Sequence, residues 1–101
     1  MEAVFSTKMI NHFNITVYGE VQGVFFRRTI KHEANRRGIA GFVRNELDGT
    51  VYIEAEAEEK VLDEFVVWLK SGAGAGGDYK ISQVEVQPGH FKAFTGFEIK
   101  G

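Results

Sequence analysis

The sequence predicts an α+β fold of the ferredoxin-like type, in the order β-α-β-β-α-β. It implies an antiparallel sheet with two helices on one face and a short fifth strand at the C-terminal end. Three observations predict it. Three segments alternate apolar and polar residues, two segments repeat apolar residues at helical spacing, and an Asp48-Gly49 turn joins the second and third strands directly.

Residues 12–18 open the pattern. Phe13, Ile15 and Val17 point one way, and Asn14, Thr16 and Tyr18 the other, as in a half-buried strand. A helix is expected over residues 25–37, where Phe26, Ile30 and Ala34 recur every fourth residue. Arg36 and Arg37 suit its negative end, and Gly38 suits the residue just beyond. Residues 39–45 and 50–56 read as paired strands around the Glu46-Leu47-Asp48-Gly49 turn. In the second of these, Val51, Ile53 and Ala55 are expected to face inward, and Tyr52, Glu54 and Glu56 outward. Residues 58–70 form the second helix, with Val61, Leu62, Phe65, Trp68 and Leu69 on its buried face. A glycine-alanine loop over 71–77 leads to a strand over 81–87, ended by Pro88-Gly89. Residues 97–100 supply the short last strand. Residues 1–11 read as an N-terminal tail and residues 12–101 as one domain.

Composition narrows the function classes. Of 101 residues, 44% are hydrophobic and 26% charged, as in an ordinary globular domain with one modest core. The net charge of −2 gives no electrostatic footprint for nucleic acid. The absence of cysteine removes thiolate catalysis, disulfides and thiolate-bound zinc, and agrees with a reducing compartment. No apolar run approaches the roughly 20 residues of a membrane-spanning helix, and no leader pattern stands at the start. A cytoplasmic monomer is the expectation.

The stretch that invites chemistry is Gly19-Glu20-Val21-Gln22-Gly23-Val24-Phe25-Phe26-Arg27. It leaves a strand, passes two glycines and enters a helix. Loop N–H groups and the first N–H groups of a helix have no partner in regular structure, so such a junction cradles anions. Arg27 adds a permanently charged donor fork suited to a phosphoryl group. Asn45 ends the second strand on the same face as Val43. If that face carries the helices, its amide lies towards the mouth of the loop. Read alone, each feature has an ordinary explanation: a tight turn, a solvated arginine, a turn-opening asparagine. Together they form a candidate site.

These residues, followed by Gly41-Phe42-Val43-Arg44-Asn45 and Asp48-Gly49-Thr50-Val51, resemble the acylphosphatase family. The resemblance runs from about His12 to the C-terminus. It implies a ferredoxin-like enzyme that hydrolyses the carboxyl–phosphate bond of acyl phosphates without a metal or other cofactor, releasing inorganic phosphate. By position, it implies that Arg27 and the backbone N–H groups of the loop, Gly19 to Phe25 with Gln22 to Phe25 foremost, bind the phosphoryl group. Asn45 would orient the attacking water. The chain departs from the family pattern at Gly76-Gly77-Asp78-Tyr79-Lys80-Ile81 and at Phe42, away from the two catalytic positions.

Other signals carry less. Gly72-Ala73-Gly74-Ala75-Gly76-Gly77 matches G-x-G-x-x-G but follows a helix, which is the wrong context for a dinucleotide loop. His12, His32 and His90 have no metal-ligand spacing. Glu54, Glu56, Glu58 and Glu59 read as a solvated strand edge and helix start. Two alternatives stand beside the enzyme. One is a non-enzymatic anion- or RNA-binding module, although the aromatic RNA-binding pattern of such sheets is absent. The other is an accessory domain serving carbamoyl phosphate chemistry in a larger protein, against which the length of 101 residues without a second domain is set.

Overall fold

A computed structural model describes residues 9–23, 25–74 and 79–101. Strand β1 spans Ile10–Glu20, helix α1 Phe26–Arg36, β2 Ala40–Asn45, β3 Val51–Glu58, helix α2 Glu59–Lys70, β4 Lys80–Pro88 and β5 Phe97–Lys100. The expected order is reproduced. β1 is longer than its alternation implied, because Ile10 to Val17 pair with Glu58 to Val51 of β3 and Phe13 to Glu20 pair along β4. Pairing partners, and not local periodicity, set the strand ends. Most of the expected N-terminal tail and residues 75–77 of the glycine loop lie outside the described residues.

The strands run β4-β1-β3-β2-β5 across the sheet. The first four are antiparallel to their neighbours, and β5 adds to β2 in parallel, so the complete sheet is mixed. Ile15 and Val17 of β1, Val43 of β2 and Val51, Ile53 and Ala55 of β3 are fully buried in one core cluster. Phe26, Ile30 and Ala34 of α1 and Leu62, Phe65 and Leu69 of α2 close it from above, with no exposed surface. The stripes seen at helical spacing therefore face one side of the sheet, as expected. Burial of such side chains stabilises the fold by roughly 1.5–3 kcal/mol each before entropy is subtracted.

The other side of the sheet corrects the reading of the acidic strand. β4 and β5 occupy opposite edges, so residues 89–96 must cross the sheet between them. They do so over the helix-free face. The backbone N–H groups of Lys92 and Phe94 donate to Glu56, and the Lys92 ammonium donates to Glu54 at 2.8 Å. Glu54 and Glu56 are consequently buried and not solvated, while Glu58 is exposed as expected. Alternation correctly put them opposite the apolar core. A cover arriving from a segment 36–38 residues away is invisible to it.

Candidate active site

The junction between β1 and α1 is held at both ends. Gly19 and Glu20 still belong to β1, paired with Ile81 and Lys80 beyond a register shift at Tyr18 and Gly19. Gly19 has φ 130°, and a Cβ there would stand 2.1 Å from the Lys80 carbonyl oxygen, so the close approach of β4 requires glycine. Val21 is buried at the start of the loop and Phe26 at its end. The described loop is therefore Val21, Gln22, Gly23 and Phe25. Val24, also expected in the cradle, lies outside the described residues.

The sharp entry into α1 falls on Phe25, which has φ 75° in the left-handed region, and not on a glycine. A non-glycine residue there costs on the order of 1–3 kcal/mol, a strain characteristic of ligand clamps. Among the described residues no side chain caps α1, and no acidic residue stands in its first turn. Its leading N–H groups and the positive end of its dipole remain available to an incoming anion.

Arg27 sits in that first turn, half-buried, with no hydrogen-bond or ion-pair partner among the described residues. Other arginines are engaged. Arg36 and Arg37 bind Glu33, Arg44 binds Glu46 at 2.6 Å, and the Arg28 guanidinium lies 5.0 Å over the Phe25 ring. A cavity of about 210 Å³ is lined by Gly23, Phe25, Arg27, Arg28 and Ile99. A second, of about 370 Å³, is lined by residues Gly19 to Gly23 and Gly49.

Asn45 is brought to the same end of the sheet. It is the last residue of β2 and pairs with Val51. Ile99, which lines the Arg27 cavity, pairs with Val43 two residues before it. Asn45 alternates in register with the core-facing Val43, so it lies on the helix side. Its Oδ1 is buried without a hydrogen-bond partner among the described residues. A buried amide oxygen without a partner is costly and is normally satisfied by a water or ligand.

Two contributors were not legible in the sequence. One is the conformation of Phe25. The other is the Gln22 side chain, whose Nε2 donates to the Glu46 carbonyl at 2.6 Å and to the Thr50 carbonyl at 2.8 Å. Glutamine has no special spacing that marks this contact. Among the described residues no group of three or more histidine, cysteine, aspartate or glutamate side chains is arranged to hold a metal.

A strained loop residue, a helix start without a side-chain cap, Arg27 and the Asn45 amide oxygen, the last two without partners among the described residues, thus lie at one end of the sheet. The acylphosphatase family model matches residues 13–99. An acylphosphatase of Ligilactobacillus salivarius is 37% identical over 90 residues, covering 89% of this chain and 98% of the relative. The crystal structure of acylphosphatase from Bacillus subtilis superposes with a TM-score of 0.83 at 35% identity, covering 92% of this chain and all of that one. Full-length HypF in its phosphate- and nucleotide-bound form matches with a TM-score of 0.79 at 28% identity, over 92% of this chain but 12% of that one. The chain belongs to the acylphosphatase family. It is an enzyme that hydrolyses small-molecule acyl phosphates.

Proposed function

We propose that Arg27 and the N–H groups of the loop and first helical turn hold the phosphoryl group, and that Asn45 orients the attacking water. The observation that carries this reading is that Arg27, at the start of α1, and the buried Asn45 Oδ1 both lack partners among the described residues. The guanidinium fork and N–H donors match the oxygens over which charge spreads in phosphoryl transfer. The Asn45 Oδ1 accepts one hydrogen of the water and aims its oxygen at phosphorus. The water–phosphorus bond forms as the bond from phosphorus to the acyl oxygen breaks. The water's proton passes to a phosphate oxygen, and the carboxylate leaves with the bonding pair.

So few groups suffice because the leaving group is a carboxylate, whose conjugate acid has a pKa near ~4. It departs without a proton from a general acid. Donor placement and charge stabilisation then supply the catalysis. The reaction proceeds without a bound metal in this reading, and the protein acts as a cytoplasmic monomer that does not engage nucleic acid; the net charge of −2 speaks against nucleic acid, the lack of cysteine agrees with a reducing compartment, and one compact domain makes a monomer the default.

The test is release of phosphate and benzoate from benzoyl phosphate in excess EDTA. The wild type hydrolyses it and Arg27→Ala loses the activity. Metal-dependent turnover, or unimpaired turnover in Arg27→Ala, would overturn the reading.

A further inference from the structure

The phosphate loop and the Asn45 strand belong to separate parts of the chain, yet the proposed reaction needs them in fixed relation. Gln22 spans the gap. Its carboxamide nitrogen has two N–H donors, and the two carbonyls it meets are those of Glu46 and Thr50, which close the β2–β3 turn. Thr50 O also accepts the Glu46 N–H at 2.9 Å, and Glu46 O accepts the Gly49 N–H at 3.2 Å. Gln22 thus locks onto the hydrogen-bonded frame of the turn itself, at the residue immediately after Asn45. Its side chain is exposed, so core packing does not account for it. Val21 and Phe26 anchor the loop by burial on either side. Gln22 is the loop's side-chain hydrogen-bond tether to the hairpin among the described residues.

We infer that Gln22 is a positioning residue: its side chain sets the register between the phosphate-binding loop and Asn45, and so between the phosphorus and the attacking water. The inference rests on the water-orienting reading of Asn45. It separates two properties of the loop. Phosphate affinity comes from Arg27 and the N–H donors, held by Val21 and Phe26. Alignment of water with phosphorus comes through Gln22. A misplacement of about 1 Å costs up to ~10² in rate, so loss of the tether acts on turnover and not on binding.

The test uses Gln22→Met, which keeps length and removes both donors, with Asn45→Ala and the double variant. Steady-state hydrolysis of benzoyl phosphate and inhibition by inorganic phosphate are measured for each. Gln22→Met lowers kcat by about tenfold, within the range for misalignment, while KM and phosphate inhibition stay within about twofold of wild type, the affinity being left to Arg27 and the N–H donors. The double variant turns over no more slowly than Asn45→Ala, because the tether acts through Asn45. Unchanged kcat in Gln22→Met overturns the inference. So does phosphate affinity falling in step with kcat, or losses that multiply in the double variant. Each of these leaves the Asn45 reading standing if Asn45→Ala alone is impaired; an unimpaired Asn45→Ala removes both.

Discussion

His12 Nδ1 lies 2.7 Å from Glu56 Oε2 in a buried pair on the helix-free face of the sheet. The other ring nitrogen of His12 lies 2.8 Å from Asn14 Oδ1 and 3.1 Å from Glu54 Oε1, so acceptor oxygens face the ring on both sides. Glu56 also receives the N–H groups of Lys92 and Phe94. The cluster ties the crossing segment 89–96 to the sheet, and that segment delivers β5 to its place beside β2 and the Arg27 cavity.

Acid should therefore loosen the protein through this cluster. Burial alone would raise the Glu56 pKa, but the His12 hydrogen bond and the Lys92 and Phe94 N–H groups outweigh it and hold it below the ordinary 4.5. Glu54 is held low in the same way by Lys92 and Tyr52, against its burial. A carboxylate with a depressed folded pKa contributes stability that is present above its unfolded value and is lost as pH falls through the folded value. Thermal midpoints should be steady above pH 4.5 and fall below it. A flat profile into strong acid would contradict this account.

Glu56→Ala should be among the most damaging changes outside the core. It leaves the buried His12 Nδ1 and the Lys92 and Phe94 N–H groups without their acceptor, and removing one partner of a buried pair costs about 3–5 kcal/mol. Urea denaturation of Glu56→Ala against an exposed control, Glu58→Ala, measures the difference. Equal midpoints for the two would show that the crossing segment is held by something else.

Gly41→Ala should destabilise the sheet where β2 meets β3. Gly41 has φ 149°, and a Cβ there would stand 1.8 Å from the Glu54 carbonyl oxygen. Backbone must move to admit it, at a cost of about 1–3 kcal/mol or more. A denaturation midpoint equal to wild type would contradict the close approach.

Arg27→Lys should restore only part of what Arg27→Ala loses. An alanine removes the donor fork and should lower kcat by ~10²–10³, as for loss of one transition-state donor. An ammonium returns the charge without the two-pronged contact, and should remain roughly tenfold below wild type. Wild-type kinetics in Arg27→Lys would mean that charge alone is required.

Much of this was legible in the sequence because it is local. Phe26, Ile30 and Ala34 mark α1 by spacing, and Asp48-Gly49 marks the hairpin by turn chemistry. Arg27 and Asn45 stand out because their residue types fit an anion and a water at element ends. What escaped depends on distant chain. Glu54 and Glu56 looked solvated because their cover comes from residues 92 and 94. The parallel placement of β5 follows from the crossing of the sheet, which no window of residues reveals. Phe25 looked like an ordinary residue of the loop and helix start, yet it takes a left-handed conformation at the entry to α1. Gln22 was read for its backbone N–H, and its side-chain role appears only when the hairpin is folded against it.

The most direct measurement of the central claim is calorimetric titration of inorganic phosphate into wild type, Arg27→Ala and Asn45→Ala. The account predicts that Arg27→Ala loses phosphate binding, while Asn45→Ala binds phosphate as wild type does but hydrolyses acyl phosphate poorly. Wild-type phosphate affinity in Arg27→Ala, or equal loss of affinity in both variants, would contradict the division of labour between the anion anchor and the water-orienting amide.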